Sequence, residues 1–486
     1  MLTNEDNRKI FQLLDDSIQN YINHTSQRSI STIACISPIS RKAQIIAQAK
    51  SLTSAFQMHD IKMIYDILKE ICIAAQNFEN FPIDDLFSIN FPSLILSFFK
   101  FPYNEYIFSI SLQCISAFSD FPRFANICDE ALANYLLSLI ENPGIPTIDS
   151  NQYIPFKFPF LLPSLISNDI CVNAICSIGK IIKHNDNFRD FILSKNILPI
   201  LSKFFIHKTD TINLHENTNC SLLLIANLFY LPINHNNSCD VTPYLEILLQ
   251  FLQSSDRSFL IYSFYGLCQF CKQGNEYVNL SLRYLDSSMN LFFNPNYSTD
   301  VLNEALLFSL VLLNYQEGAH FVFSSFSWKK FNNVWEIIDK ILLSKIATGI
   351  ISNDIGQALS AYNQGTMNLF NALLLNGTFE EKLCSIHTIL TAAQEPSLCQ
   401  ILLNESFLAV FCQISETEEI CSDVESIFFI KTLLNNKNNH EFIHQVERSV
   451  NIMVLRQILE KYANDEKYNS QLLQILHDFD LLFDVT

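Results

Sequence analysis

His440, Glu441 and His444 stand in the H-E-x-x-H spacing that places two imidazoles and a carboxylate on one helical face in zinc peptidases. The chemistry would be hydrolysis by a zinc-bound water, with Glu441 as the base. Such a site needs a third ligand and a sheet edge to hold substrate. The downstream sequence offers only Glu447 or Glu466 and no Gly-His of the metzincin kind. The same segment reads more simply as a helix that buries Phe442, Ile443 and Val446 and leaves His440, Glu441 and His444 on its solvated face. Cys268 and Cys271 make one C-x-x-C in "YGLCQFCKQG". Zinc would require a second pair, and a thioredoxin-type site a βαβ frame, so both cysteines are expected to be packed thiols. No G-x-S-x-G, paired-carboxylate or cysteine-protease signature occurs elsewhere. No catalytic residue, metal ligand or cofactor is therefore assigned, and a zinc hydrolase acting through the HEFIH stretch is kept only as the third reading.

The elements that must carry any site follow from composition and period. Only nine glycines occur in 486 residues, too scattered to cradle a phosphate as G-x-G-x-x-G or a P-loop does. Acidic residues outnumber basic ones by 49 to 31, a formal charge of −18. That balance disfavours nucleic acid and anionic membranes and points to a basic protein or extended peptide as partner. The amino-terminal stretch "MLTNEDNRKIFQLLDD" has no apolar signal core, and no uninterrupted apolar run of about twenty residues occurs. A soluble, intracellular chain is expected, its fourteen cysteines acting as small apolar side chains.

Apolar residues recur at three-and-four spacing over ten- to fifteen-residue segments broken by Asn, Ser, Asp and Pro, so the fold is expected to be all-α. Internal similarity sharpens this. "LFSINFPSLILSFF" (86–99) aligns without a gap on "ILSKNILPILSKFF" (192–205), and "LLNESFLAVFCQI" (402–414) follows the same template. Each reads as a helix end, a polar turn with Asn or Ser, and a second helix. Taking Ile95, Leu137, Leu201, Leu248, Leu291, Ile338, Phe411 and Leu455 as markers, most steps are of about 40 to 47 residues, the length of two- or three-helix repeats. The two longer steps are attributed to inserted loops near 142–160 and 344–365. Residues 1–80 match the template poorly and are assigned to a helical cap, and 81–486 to the repeat array.

The segment Ser167–Phe205 resembles an armadillo repeat, and within that superfamily it is most like the cargo-binding array of importin-α. The likeness lies in Ala174, Ile178 and Gly179, in the loop with Asn187, and in the turn into "ILPILSKFF". Lys195-Asn196 replaces the usual glycine turn, Asn being able to take the left-handed backbone that glycine supplies. The end of the chain, "LRQILEKYANDEKYNSQLLQILHDF", also resembles the last importin-α helices, and periodicity extends the likeness over about residues 80–480. It implies an α-α superhelix of the armadillo/HEAT type whose third helices line a concave, peptide-binding face. In importin-α those helices carry a Trp and, four residues on, an Asn. The corresponding pairs here are Gln113 and Ala117, Cys176 and Lys180, Leu223 and Asn227, Tyr265 and Gln269, and Phe308 and Leu312.

Asn227, Tyr265 and Gln269 are thus the peptide-binding residues implied. The rival for Tyr265 and Gln269 is a half-buried aromatic and a solvated amide. The resemblance also implies an importin-β-like carrier as partner, although "SRKAQIIAQAK" (40–50) is a thin substitute for the basic segment that such a carrier binds. The resulting expectation is a non-enzymatic nuclear import adaptor of the cytoplasm and nucleus. Its alternative is a cytoplasmic interaction scaffold without nuclear-signal recognition.

Overall fold

In a computed structural model the described residues are 38–483, apart from 59, 78–79, 101–104, 143–162, 206–211, 233–239, 286–290, 295, 416–419 and 464–468. Among them every regular element is a helix, and no single helix is long and apolar enough to cross a membrane. Two compact units, Ile33–Leu285 and Asp286–Thr486, are taken in turn; the long helices that stack within them are numbered α1 to α9.

In the first unit α1 (Ile61–Asn77), α2 (Glu105–Phe118), α3 (Pro163–Ile181), α4 (Ile212–Leu228) and α5 (Arg257–Lys272) pack each on the next. Shorter helices brace them from one side: Phe91–Lys100 against α2, Glu130–Glu141 against α3, and Thr242–Phe251 against α5. Both Asn90 and Asn196, aligned in the internal repeat, take the left-handed backbone conformation, at φ 58° and 46°. That conformation is rare outside glycine and most accessible to Asn, so two separate copies of the template turn the same way. Helix starts are fixed by side-chain caps. Asp129 accepts from the Leu132 amide at 2.8 Å and Asp256 from those of Ser258 and Phe259 at 2.9 and 3.1 Å. Asn185 accepts from Phe188 at 3.0 Å while its Nδ2 donates to the Ala125 carbonyl at 2.9 Å, tying one repeat to the preceding one. Each such cap stabilises its helix by about 1 kcal/mol.

The second unit repeats the arrangement with α6 (Thr299–Leu313), α7 (Lys340–Asn353), α8 (Phe379–Ala392) and α9 (Ile420–Asn435), braced by Gln316–Ser325, Thr366–Asn376 and Glu405–Ser415. An aromatic cluster closes the space between braces: Trp328 is 1% exposed, edge-on to Phe326 at 4.9 Å and Phe331 at 5.4 Å, while Trp335 meets Phe370 edge-on at 5.1 Å.

All eight marker residues are buried, but only six lie in helices, Leu291 and Ile338 falling in the segments between them. The second long step consequently hides a repeat rather than a loop. Residues 344–365 form most of α7 and the helix Gly356–Asn363, and Ile346, Ala347, Ile350 and Ile351 of α7 are fully buried. The first inserted loop, 142–160, lies outside the described residues beyond Asn142. In the described part of the segment assigned to a cap, 1–80, α1 packs on α2 as α2 packs on α3. Residues 1–37 are outside the description.

Candidate protein-binding face

The stacking of α3 on α4 starts with a missing side chain. A Cβ on Gly179 would stand 3.3 Å from Leu224 Cα, so glycine there lets the two backbones approach closely without a tight contact. The close approach brings Asn227, 2% exposed, against the carboxyl end of α3, where its Nδ2 donates to the Gly179 carbonyl at 2.8 Å. Carbonyls in a helix's last turn have no partner of their own, and Asn227 supplies one from the neighbouring repeat. The same device recurs down the stack. Lys180 Nζ donates to the Ser116 carbonyl at 3.1 Å, Gln273 Nε2 to that of Phe229 at 2.5 Å, and Asn353 Nδ2 to that of Leu313 at 2.9 Å. Each polar residue near the end of one stacked helix caps the helix before it.

This geometry locates the residues implied by the importin-α likeness. Asn227 is spent on the cap, and its Oδ1 accepts from the Tyr265 hydroxyl at 3.3 Å. Tyr265 is half-exposed; Gln269, expected as a solvated amide, is 7% exposed and faces inward. Phe308 and Leu312 are both fully buried. The three named residues are therefore neighbours on α4 and α5, but only Tyr265 offers surface.

Spacing alone missed what surrounds Tyr265. Leu223 of α4 and Phe259 and Tyr262 of α5 are half-exposed. His215 stacks on Phe259 with ring centroids 4.9 Å apart, and its Nε2 bonds Asp256 at 2.8 Å. Burial, together with the nearby Cys220 and Cys176 sulfurs, raises the Tyr262 phenol. Next to it the Cys176 and Cys220 Sγ atoms are 2.9 Å apart, and Lys180 is paired with Asp120 at 2.8 Å. Aromatic and charged side chains of α3, α4 and α5 are thus left partly exposed on successive stacked helices.

The equivalent surface of the second unit is more self-paired. Thr348 and Thr388 hydroxyls lie 3.0 Å apart. His387 Nδ1 meets both Glu425 oxygens at 3.0 and 3.1 Å, and its ring stacks on Phe428. Burial pushes the His387 imidazole down, but the charge and hydrogen bond of Glu425 together raise it above 6.5. Gln394 Nε2 donates to the Thr432 hydroxyl at 2.7 Å, and buried Asp423 holds Lys461 and the Tyr462 hydroxyl at 2.6 and 3.0 Å.

The H-E-x-x-H residues begin the helix His440–Ser449, whose buried positions are Phe442, Ile443 and Val446, as their spacing predicts. His440, Glu441 and His444 are exposed, and His444 pairs with Glu447 at 2.9 Å. Among the described residues no group of three or more His, Cys, Asp or Glu could hold a metal. Cys268 and Cys271 are 5% and 0% exposed; Cys271 donates to Ser281 Oγ, and burial pushes its thiol up to about 12.

No protein-family model matches the chain, and no curated protein is similar to it. Among solved structures it is similar to the crystal structure of an engineered protein, at 12% identity and a TM-score of 0.57, over 90% of this chain and 98% of the other. At that identity the likeness is one of fold: an all-α arrangement of stacked helical repeats.

Proposed function

We propose that the protein is a non-enzymatic interaction scaffold that binds an extended, basic protein segment along α3, α4 and α5. The observation that carries this reading is the partial exposure of Leu223, Phe259, Tyr262 and Tyr265 on helices whose polar ends are already capped internally. Rings of this kind accept Lys and Arg stems on their faces, and an excess of acidic residues, −18 in all, draws a basic segment in. Helical-repeat folds present just such extended surfaces, with affinity gathered over several repeats.

Of the two binding readings, the scaffold is favoured over the nuclear import adaptor. Nuclear-signal recognition in the importin-α manner needs amides free to bond a peptide backbone. Asn227 instead caps Gly179, and Gln269 is buried. The test uses synthetic extended peptides of basic, neutral and acidic composition, titrated by fluorescence anisotropy. Basic peptides are expected to bind and to weaken with salt. Phe259→Ala with Tyr262→Ala is expected to reduce affinity about tenfold, roughly 1.4 kcal/mol, with little change in melting temperature. Equal binding of all three peptide classes, or unchanged affinity in the double variant, would remove this face as the binding surface.

A further inference from the structure

The Cys176–Cys220 pair is unlike the other thiols. The two sulfurs come from successive stacked helices, α3 and α4, at 2.9 Å, and both residues are half-buried rather than enclosed. Disulfide bond length is about 2.05 Å, so less than an ångström of movement separates this pair from a covalent bridge. Their surroundings are asymmetric. One turn beyond Cys176 is Lys180, its ammonium held by Asp120 at 2.8 Å and the Ser116 carbonyl at 3.1 Å. One turn before Cys220 is Glu216, which is exposed. Lys180 on the helix of Cys176, one turn from it, and Glu216 on the helix of Cys220, one turn from that, favour Cys176 as the site of the thiolate. The hydrogen bond from Cys220 is the main influence lowering the Cys176 thiol, with Lys180 acting the same way against burial and the weaker pull of Glu216 and Asp120. The bond to Cys176, burial and Glu216 all raise Cys220.

We propose that Cys176 and Cys220 are a peroxide-reactive dithiol that closes reversibly into a disulfide joining α3 to α4. In the first step the Cys176 thiolate attacks one oxygen of hydrogen peroxide. An S–O bond forms, the O–O bond breaks, and hydroxide leaves to take up a proton as water; the sulfur is oxidised by two electrons and the peroxide reduced. In the second, Cys220 loses its proton and attacks the sulfenic sulfur. An S–S bond forms, the S–O bond breaks, and the hydroxyl departs with that proton as water. Two thiols and one peroxide yield one disulfide and two waters. The bridge would lie beside Tyr262, whose phenol is influenced by both sulfurs. The chemistry holds whatever partner that surface binds.

The molecule contains its own control. Cys72 and Cys114 also face one another, but they are only 4% and 0% exposed, beyond the reach of peroxide in the folded chain. The full chain is treated with a slight excess of hydrogen peroxide at neutral pH, alkylated, and digested without reductant for mass spectrometry. The expected first product is a Cys176–Cys220 disulfide that dithiothreitol reverses, with Cys72 and Cys114 still alkylated after unfolding. Cys220→Ser is expected to stop at a sulfenic acid on Cys176, trapped by dimedone, and Cys176→Ser to leave Cys220 unoxidised. In the unsubstituted protein, iodoacetamide is expected to label Cys176 at least about tenfold faster than Cys220. Absence of the disulfide, earlier oxidation of another pair, or equal labelling of Cys176 and Cys220 would overturn the proposal.

Discussion

Asn227→Ala separates a structural cap from a ligand-binding amide. In the folded chain the Nδ2 of Asn227 donates at 2.8 Å to the Gly179 carbonyl, and the residue is 2% exposed. Removing the amide leaves that carbonyl buried without a donor, at a cost of about 1–3 kcal/mol. The hydroxyl of half-exposed Tyr265, at a long 3.3 Å, can turn to water and adds little. A loss of about 2 kcal/mol in stability is therefore expected for Asn227→Ala, against about 0.5 kcal/mol or less for Tyr265→Phe. Asn227→Asp keeps the acceptor for Tyr265 but turns an oxygen toward the Gly179 carbonyl, so it is expected to be worse than alanine. Urea unfolding followed by circular dichroism gives the loss. Hydrogen exchange measured by mass spectrometry then locates it, and protection should fall first in the last turn of α3 and along α4. If Asn227→Ala is as stable as wild type and exchange over α3 is unchanged, the amide is not a cap. It is then free for a bound peptide, and the importin-like reading recovers its central residue.

Three further outcomes are expected. His444→Ala should leave stability within about 0.5 kcal/mol of wild type because the side chain is exposed, and elemental analysis after dialysis should find no stoichiometric zinc; one zinc per chain, lost in that variant, would revive the hydrolase reading. The imidazole of His387 is raised in the folded state above 6.5 by Glu425, so its contribution is complete below the unfolded value and is lost as pH rises through the folded one. The stability advantage of wild type over Glu425→Gln should therefore shrink as pH rises above about 6.5, and an advantage that grows with rising pH would contradict the pairing. Gly266→Ala would place a methyl 2.8 and 2.9 Å from the two Leu248 Cδ atoms and 3.1 Å from Ala226; a loss of about 1–3 kcal/mol is expected from overpacking, and a neutral result would mean that Leu248 moves aside freely.

The fold was legible where one face of a helix is buried and a turn needs a special backbone. Asn90 and Asn196 align in the sequence and share the left-handed conformation, so the repeat could be found from the chain alone. It was misread where burial covers more than one face. Helix α7 buries Leu342, Leu343, Ser344, Ile346, Ala347, Thr348, Ile350 and Ile351, which blurs the amphipathic period. Thr348 and Gly349, residues usual in loops, are there because one bonds Thr388 and a Cβ on the other would stand 3.2 Å from a Leu313 methyl. The face itself was hidden for another reason: residue type does not say whether an amide points to a ligand or to a neighbour's carbonyl.

A usable signal did exist in the phase of the repeat. Residues one repeat apart on successive stacked helices meet, and the separations show it: 44 positions between Cys176 and Cys220, 40 between Thr348 and Thr388, and 38 between His387 and Glu425. Placing the stacked helices in register would have paired these residues before any coordinates were known. The same register explains where binding is proposed. In the second unit the facing groups are hydroxyl with hydroxyl and imidazole with carboxylate, and they satisfy one another. In the first unit His215 stacks on Phe259 and Asn227 bonds Tyr265, yet Leu223, Phe259, Tyr262 and Tyr265 all stay partly exposed. That remaining aromatic exposure, rather than the amide of Asn227, is the reason for proposing α3 to α5 as the face for a partner.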